Sequence, residues 1–151
     1  MPDAHTDQLL LIVVGAHLRA EAADRPLAYA LIERIRNWLQ QRMHSTDWPL
    51  MPLVCTDVWY LNNAQLHTRP AISLGGPGVN ALSAYLYQKL PTALAVEDKL
   101  VVQVDVEMTD LRAAVWGVDA QHTATAIDLF EKKYLDDFML AAVTQIEPDT
   151  D

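Results

Sequence analysis

Pro70-Ala71-Ile72-Ser73-Leu74-Gly75-Gly76-Pro77-Gly78-Val79-Asn80 (PAISLGGPGVN) decides how this chain is read. Pro70 restarts a short apolar run, a glycine-rich turn stops it, and a helix is expected from about Val79 to Leu90, where Pro91 ends it. Leu82, Tyr85, Leu86 and Lys89 are the expected inner side of that helix. A strand running through a glycine turn into a helix is the unit from which parallel sheets are built.

The same alternation appears upstream. Leu9 to Val14 (LLLIVV) is apolar, too short for a membrane helix and preceded by Asp3 and Asp7 rather than by basic residues, so it reads as a buried strand ending at Gly15 and not as a signal peptide. Ala16 to Asp24 is expected to be a polar loop. Asp24 then caps a helix with Pro26 in its first turn, and Leu27, Leu31, Ile35, Trp38 and Leu39 form its apolar stripe as far as Met43. After Pro49 to Pro52 comes a second strand, Leu53 to Thr56. Asp57 to Asn63 (DVWYLNN) suits either a strand continuation or an ordered loop.

Downstream the character changes. Ala93 to Val96, Leu100 to Glu107 and Leu111 to Gly117 are strand-like. Val102, Val104 and Val106 alternate with Gln103, Asp105 and Glu107 as in a half-exposed strand, and Met108-Thr109-Asp110 has the length of a tight antiparallel hairpin loop. Asp119 is the expected N-cap of a last helix from Ala120, with Ile127, Phe130, Tyr134 and Phe138 inward. The expected fold is therefore α/β: one three-layer Rossmann-like domain over residues 1–151 with a mixed, mostly parallel sheet. An acidic tail, 147–151, is expected to fray.

Composition narrows the function classes. The chain has 151 residues, and 20 Asp+Glu against 11 Lys+Arg leave a net charge of −9, which repels phosphate backbones and anionic lipid. Neither nucleic acid nor membrane is an expected partner. One cysteine, Cys55, excludes an internal disulfide framework and a multi-cysteine zinc site, as suits a soluble, cytoplasmic protein. The histidines show no metal-ligand spacing, no residue pattern calls for a cofactor, and Cys55 and Ser73 look like interior strand positions outside any nucleophile elbow. Reaction and substrate are not legible.

What is legible is a place. Ligands of open α/β sheets bind beyond the carboxyl ends of the parallel strands. That rule selects the loops 16–24, 57–63, 75–80 and 118–123. In the third, Gly75, Gly76 and Gly78 leave room for a ligand at a helix N-terminus, with Asn80 beside it. The same residues also suit a plain strand-to-helix turn. The first loop carries His17, Arg19, Glu21, Asp24 and Arg25, fit either for a polar ligand or for internal ion pairs. Asp119, His122 and Thr123 open the last helix. A small anionic molecule held by His17, Arg19, Glu21, Gly75, Gly76, Gly78, Asn80, Asp119, His122 and Thr123 is one expectation. A non-catalytic assembly or interaction domain, self-associating as a homodimer through an edge strand or helix face, is the other.

Two segments carry a family likeness. Gly75-Gly76-Pro77-Gly78-Val79-Asn80 resembles the GGP-x-x-N turn of archaeal-type S-layer α/β domains. Gly117-Val118-Asp119-Ala120-Gln121-His122-Thr123 is similar to their later strand–G-x-D-A-x-x-T–helix segment. The resemblance implies a mixed α/β module used in assembly or attachment at the cell surface, with no catalytic residues to carry over.

Overall fold

Leu9–Val14 forms β1, and its period-two alternation feeds both sides of a sheet: Leu10, Ile12 and Val14 face one apolar cluster, Leu11 and Val13 the other. A computed structural model describes residues 8–43 and 48–146. His5, His44 and the 147–151 tail lie outside the described residues.

The further strands are β2 (Met51–Thr56), β3 (Ala71–Leu74), β4 (Thr92–Val96), β5 (Leu100–Val104) and β6 (Arg112–Gly117). They form one six-stranded sheet in the order β2-β1-β3-β6-β5-β4. The pairs β1–β2, β1–β3 and β3–β6 are parallel; β4–β5 and β5–β6 are antiparallel. The fold is thus α/β with a mixed, mostly parallel sheet. The helices α1 (Leu18–Met43), α4 (Ala120–Phe130) and α5 (Asp136–Ile146) cover one face, a π-helical stretch at Glu131–Leu135 joining the last two. The short helices α2 (Asp57–Leu61) and α3 (Ala81–Tyr87) cover the other. Burying a large aliphatic side chain contributes roughly 1.5–3 kcal/mol, so the five fully buried residues Leu10–Val14 make β1 the spine of both clusters.

Several local expectations change. The helix after β1 begins at Leu18, not at Pro26, because Leu18–Ala23 are good helix formers and the His17 carbonyl accepts the first bond from the Glu21 N–H at 2.9 Å. Asp24 is therefore inside the helix on its buried stripe, and exposed Pro26 is carried within it. Pro52 lies in β2, where an edge strand tolerates the missing donor. Asp57–Leu61 is neither strand nor loop but a helical turn, started when the Thr56 hydroxyl accepts from the Trp59 N–H. Tyr85 and Lys89 of the α3 segment are exposed, and buried Ser83 takes the inward place, bonding the Ser73 hydroxyl at 2.7 Å. Gln103 is buried rather than half-exposed, since its amide donates to the Tyr87 and Leu90 carbonyls at the end of the α3 segment. The β5–β6 connection is longer than a tight hairpin. β5 stops at Val104, and the Asp105 carboxylate gathers the N–H groups of Glu107, Thr109 and Asp110.

Candidate functional site

β1 leads outward through α1 to the edge strand β2, and the chain then returns to β3 on the other side of β1. That reversal opens a crevice at the carboxyl ends of the strands. Because β1, β3 and β6 are parallel neighbours, the residues that follow all three meet there. The crevice holds about 130 Å³ between Arg19, Ala20, Ala23 and Asp24 of α1, Gly75, Gly76 and Val79 after β3, and Gly117–Ala120 with Thr123 after β6.

Close backbone approach makes this geometry possible. A Cβ on Gly15 would lie 1.9 Å from the Val79 carbonyl oxygen, so only glycine lets the end of β1 meet the turn after β3. Gly75 has φ of +103°, and a Cβ there would sit 2.6 Å from Asp24 Oδ2. The left-handed residue of the turn is thus Gly75, and its bare backbone is what faces the Asp24 carboxyl. Gly78 has open space around it and lies outside the crevice lining.

Two helices open onto the crevice. α1 starts at Leu18 and α4 at Ala120, each turning its N-terminal end to the rim, where His17 Nδ1 accepts from the Arg19 N–H and the Asp119 carboxylate from the His122 N–H. Asp119 caps α4: Oδ1 accepts from the His122 N–H at 2.8 Å and pairs with the His122 ring Nδ1 at 2.7 Å, bonds that hold its carboxyl below the ordinary range. Thr123, 2% exposed, turns its hydroxyl back to accept from the Gly117 N–H at 2.9 Å, locking the β6–α4 turn. α3 does not contribute a third positive end, contrary to the expectation for Val79. Its N–H groups are already taken, Leu82 and Ser83 by the Asn80 side chain and Ala81 by Asp57 Oδ2 at 2.7 Å.

The expected site residues therefore separate. Arg19, Gly75, Gly76, Asp119 and Thr123 line the crevice together. His17, Glu21, Gly78, Asn80 and His122 do not line it. His17 is exposed, its Nδ1 accepting from the Arg19 N–H at 3.2 Å, and Glu21 is held by Arg25 at 2.7 Å on the flank of α1. Asn80 is 1% exposed, and its amide donates to the Val13 and Leu74 carbonyls at 3.0 and 2.9 Å. It positions the turn. Asp57, unforeseen as an anchor, accepts from the Ala16 N–H at 3.0 Å as well as from Ala81, tying the ends of β1 and β2 to the start of α3.

Neither models of known protein families nor curated proteins match this chain.

Asp24 is the residue that sequence reasoning misplaced. It is 6% exposed, lines the crevice, and among the described residues accepts no hydrogen bond and joins no ion pair; burial alone pushes its carboxyl up to about 6. An available signal was its spacing: with Ala28, Leu31, Ile35 and Leu39 it lies on the apolar stripe of α1, an acid where a hydrophobe fits. The Arg19 guanidinium likewise carries no ion pair among the described residues, while Arg25 is committed to Glu21 and Tyr29. Cys55 is buried and its thiol is pushed up to about 12 by desolvation, so it remains protonated and unreactive. No three His, Cys, Asp or Glu side chains gather as a metal site among the described residues, and no described helix is long and apolar enough to cross a membrane.

Proposed function

We propose that the chain binds a small anionic molecule in the crevice between the ends of β1, β3 and β6. The observation that carries this reading is the convergence, on one concavity, of the first turns of α1 and α4 with Arg19, which has no ion pair among the described residues. Arg19 stands in this lining beside two acids, Asp24 and Asp119, and its planar guanidinium fork together with helix N–H groups matches carboxylate or phosphate oxygens. The reading also places the protein in the cytoplasm, where small phosphorylated and carboxylated metabolites abound and its single thiol stays reduced. Orthophosphate and short carboxylates should raise the melting temperature in a saturable way, and Arg19→Ala should weaken that response about tenfold, as loss of a charge-assisted hydrogen bond does. A melting temperature unmoved by millimolar anion would defeat the reading.

A second reading rests on a different observation. Tyr29 on α1 and Met51 and Leu53 on β2 are 53%, 45% and 38% exposed at one edge of the sheet. They support self-association as a homodimer, the assembly role that the S-layer resemblance implies. Pro52 removes a donor from that edge, so the contact would be made by side chains rather than by sheet extension. Sedimentation showing a monomer at micromolar concentration would remove this reading.

A further inference from the structure

The crevice contains a contradiction if its ligand is only an anion. Helix N-termini and Arg19 attract negative charge, yet Asp24 sits in the same wall, 6% exposed and without a hydrogen-bond or ionic partner among the described residues. A largely buried carboxyl that has only the open crevice to face is unfavourable in a native protein, and such groups concentrate where a ligand completes them. Arg25, the next residue, does not neutralise it, because its Nε is held by Glu21 at 2.7 Å and its Nη1 by the Tyr29 hydroxyl at 3.2 Å. Gly75 has no side chain, so Asp24 Oδ2 lies against its bare backbone.

We infer that the ligand is amphoteric: a short α-amino acid or α-hydroxy acid skeleton whose anionic end meets the α4 N-terminus and Arg19, and whose ammonium or hydroxyl group donates to Asp24. This rests on the crevice being an anion site and adds the second half of its recognition. The small volume, about 130 Å³, suits a compact molecule of that kind. The two ends are also chemically matched to their walls. Carboxylate oxygens only accept hydrogen bonds and would be repelled by Asp24, whereas an ammonium only donates and finds its open acceptor in Asp24, Asp119 being bonded to His122. One orientation follows.

Alanine, lactate and propionate share a three-carbon carboxylate and differ in bearing an ammonium, a hydroxyl or neither at the second carbon. Each is titrated into the isotope-labelled protein at pH 7.5 while the amide resonances of Gly76 and Thr123 are followed, with orthophosphate as a plain anion. The expected order is alanine, then lactate, then propionate, with at least tenfold between the first and last. Asp24→Asn should bring alanine to within about threefold of propionate, and should leave propionate binding unchanged or tighter because a repelling charge is gone. Propionate binding as tightly as alanine in the unaltered protein would overturn the inference and leave the anion site standing. An alanine preference that persists in D24N would overturn the role of Asp24. Resonances that no probe moves, orthophosphate included, would take away the anion site itself and the inference with it. The comparison within the unaltered protein decides the matter even if the variant does not fold.

Discussion

The side-chain amide of Asn80 donates to the carbonyl of Val13 across 3.0 Å, joining the turn after β3 to the end of β1. The same amide reaches the Leu74 carbonyl at 2.9 Å, and its oxygen caps α3 through the Leu82 and Ser83 N–H groups. One buried residue therefore holds two walls of the crevice in register. Asn80→Ala would orphan two buried carbonyls and uncap a helix. Losses of roughly 1–3 kcal/mol for unsatisfied buried groups and 0.5–2 kcal/mol for a cap put the combined expectation at about 2–4 kcal/mol. Urea unfolding reads this directly; a loss below about 1 kcal/mol would show that water satisfies the exposed carbonyls.

Gly75 and Gly78 should behave oppositely although they stand three residues apart. Gly75→Ala places a Cβ 2.6 Å from Asp24 Oδ2 at φ of +103°, and a strained left-handed residue costs on the order of 1–3 kcal/mol. Gly78→Ala meets nothing within 4 Å and should stay within about 0.5 kcal/mol of the parent. Equal melting temperatures for the two variants would remove the conformational argument for this turn.

Asp24 should weaken the fold it belongs to. Its carboxyl is raised from 3.8 to about 6, so the native state takes up a proton more readily than the unfolded chain does. The charged form's penalty is fully present above pH 6, fades as pH falls toward 3.8, and is absent below. Asp24→Asn is expected to stabilise by about 1–3 kcal/mol at pH 8, allowing for water that reaches the crevice, with the gain vanishing near pH 4. Thermal melts of both proteins across that range provide the comparison. A gain that does not depend on pH would mean that something other than the buried charge is responsible.

Cys55 should react only when the chain opens. With its thiol pushed up to about 12 by burial, alkylation by iodoacetamide at pH 8 should be slow in the native protein and fast in denaturant. Rapid native labelling would place the thiol at the surface.

Much of this architecture is written in local pattern. The runs Leu9–Val14 and Ala71–Leu74 are apolar on both faces and end in glycine, which marks buried parallel strands, and Asp119 stands where a helix cap belongs. Their shared direction then placed the loops after β1, β3 and β6 on one edge, so five of the expected residues do line one crevice. The misreadings arose where a tertiary partner decided the outcome. Pro26 marks a helix first turn more loudly than the Leu18–Ala23 segment does, so Asp24 reads as a cap although it is a buried group nearly two turns inside. Asn80 looked like a ligand contact, yet its bonds to Val13 and Leu74 depend on a register no local pattern reveals. Asp57 is legible only through Ala16 and Ala81, 41 and 24 residues away.

Backbone amide spectra recorded while inorganic phosphate is added at pH 7 test the central claim most directly. If the ends of β1, β3 and β6 form an anion site, the resonances of Gly76, Ala120 and Thr123 should shift together along one saturable curve, while Glu107 and Met108, in the β5–β6 loop at the other end of the strands, stay still. Phosphate that leaves Gly76, Ala120 and Thr123 in place, or that moves them no more than Glu107 and Met108, would contradict the account.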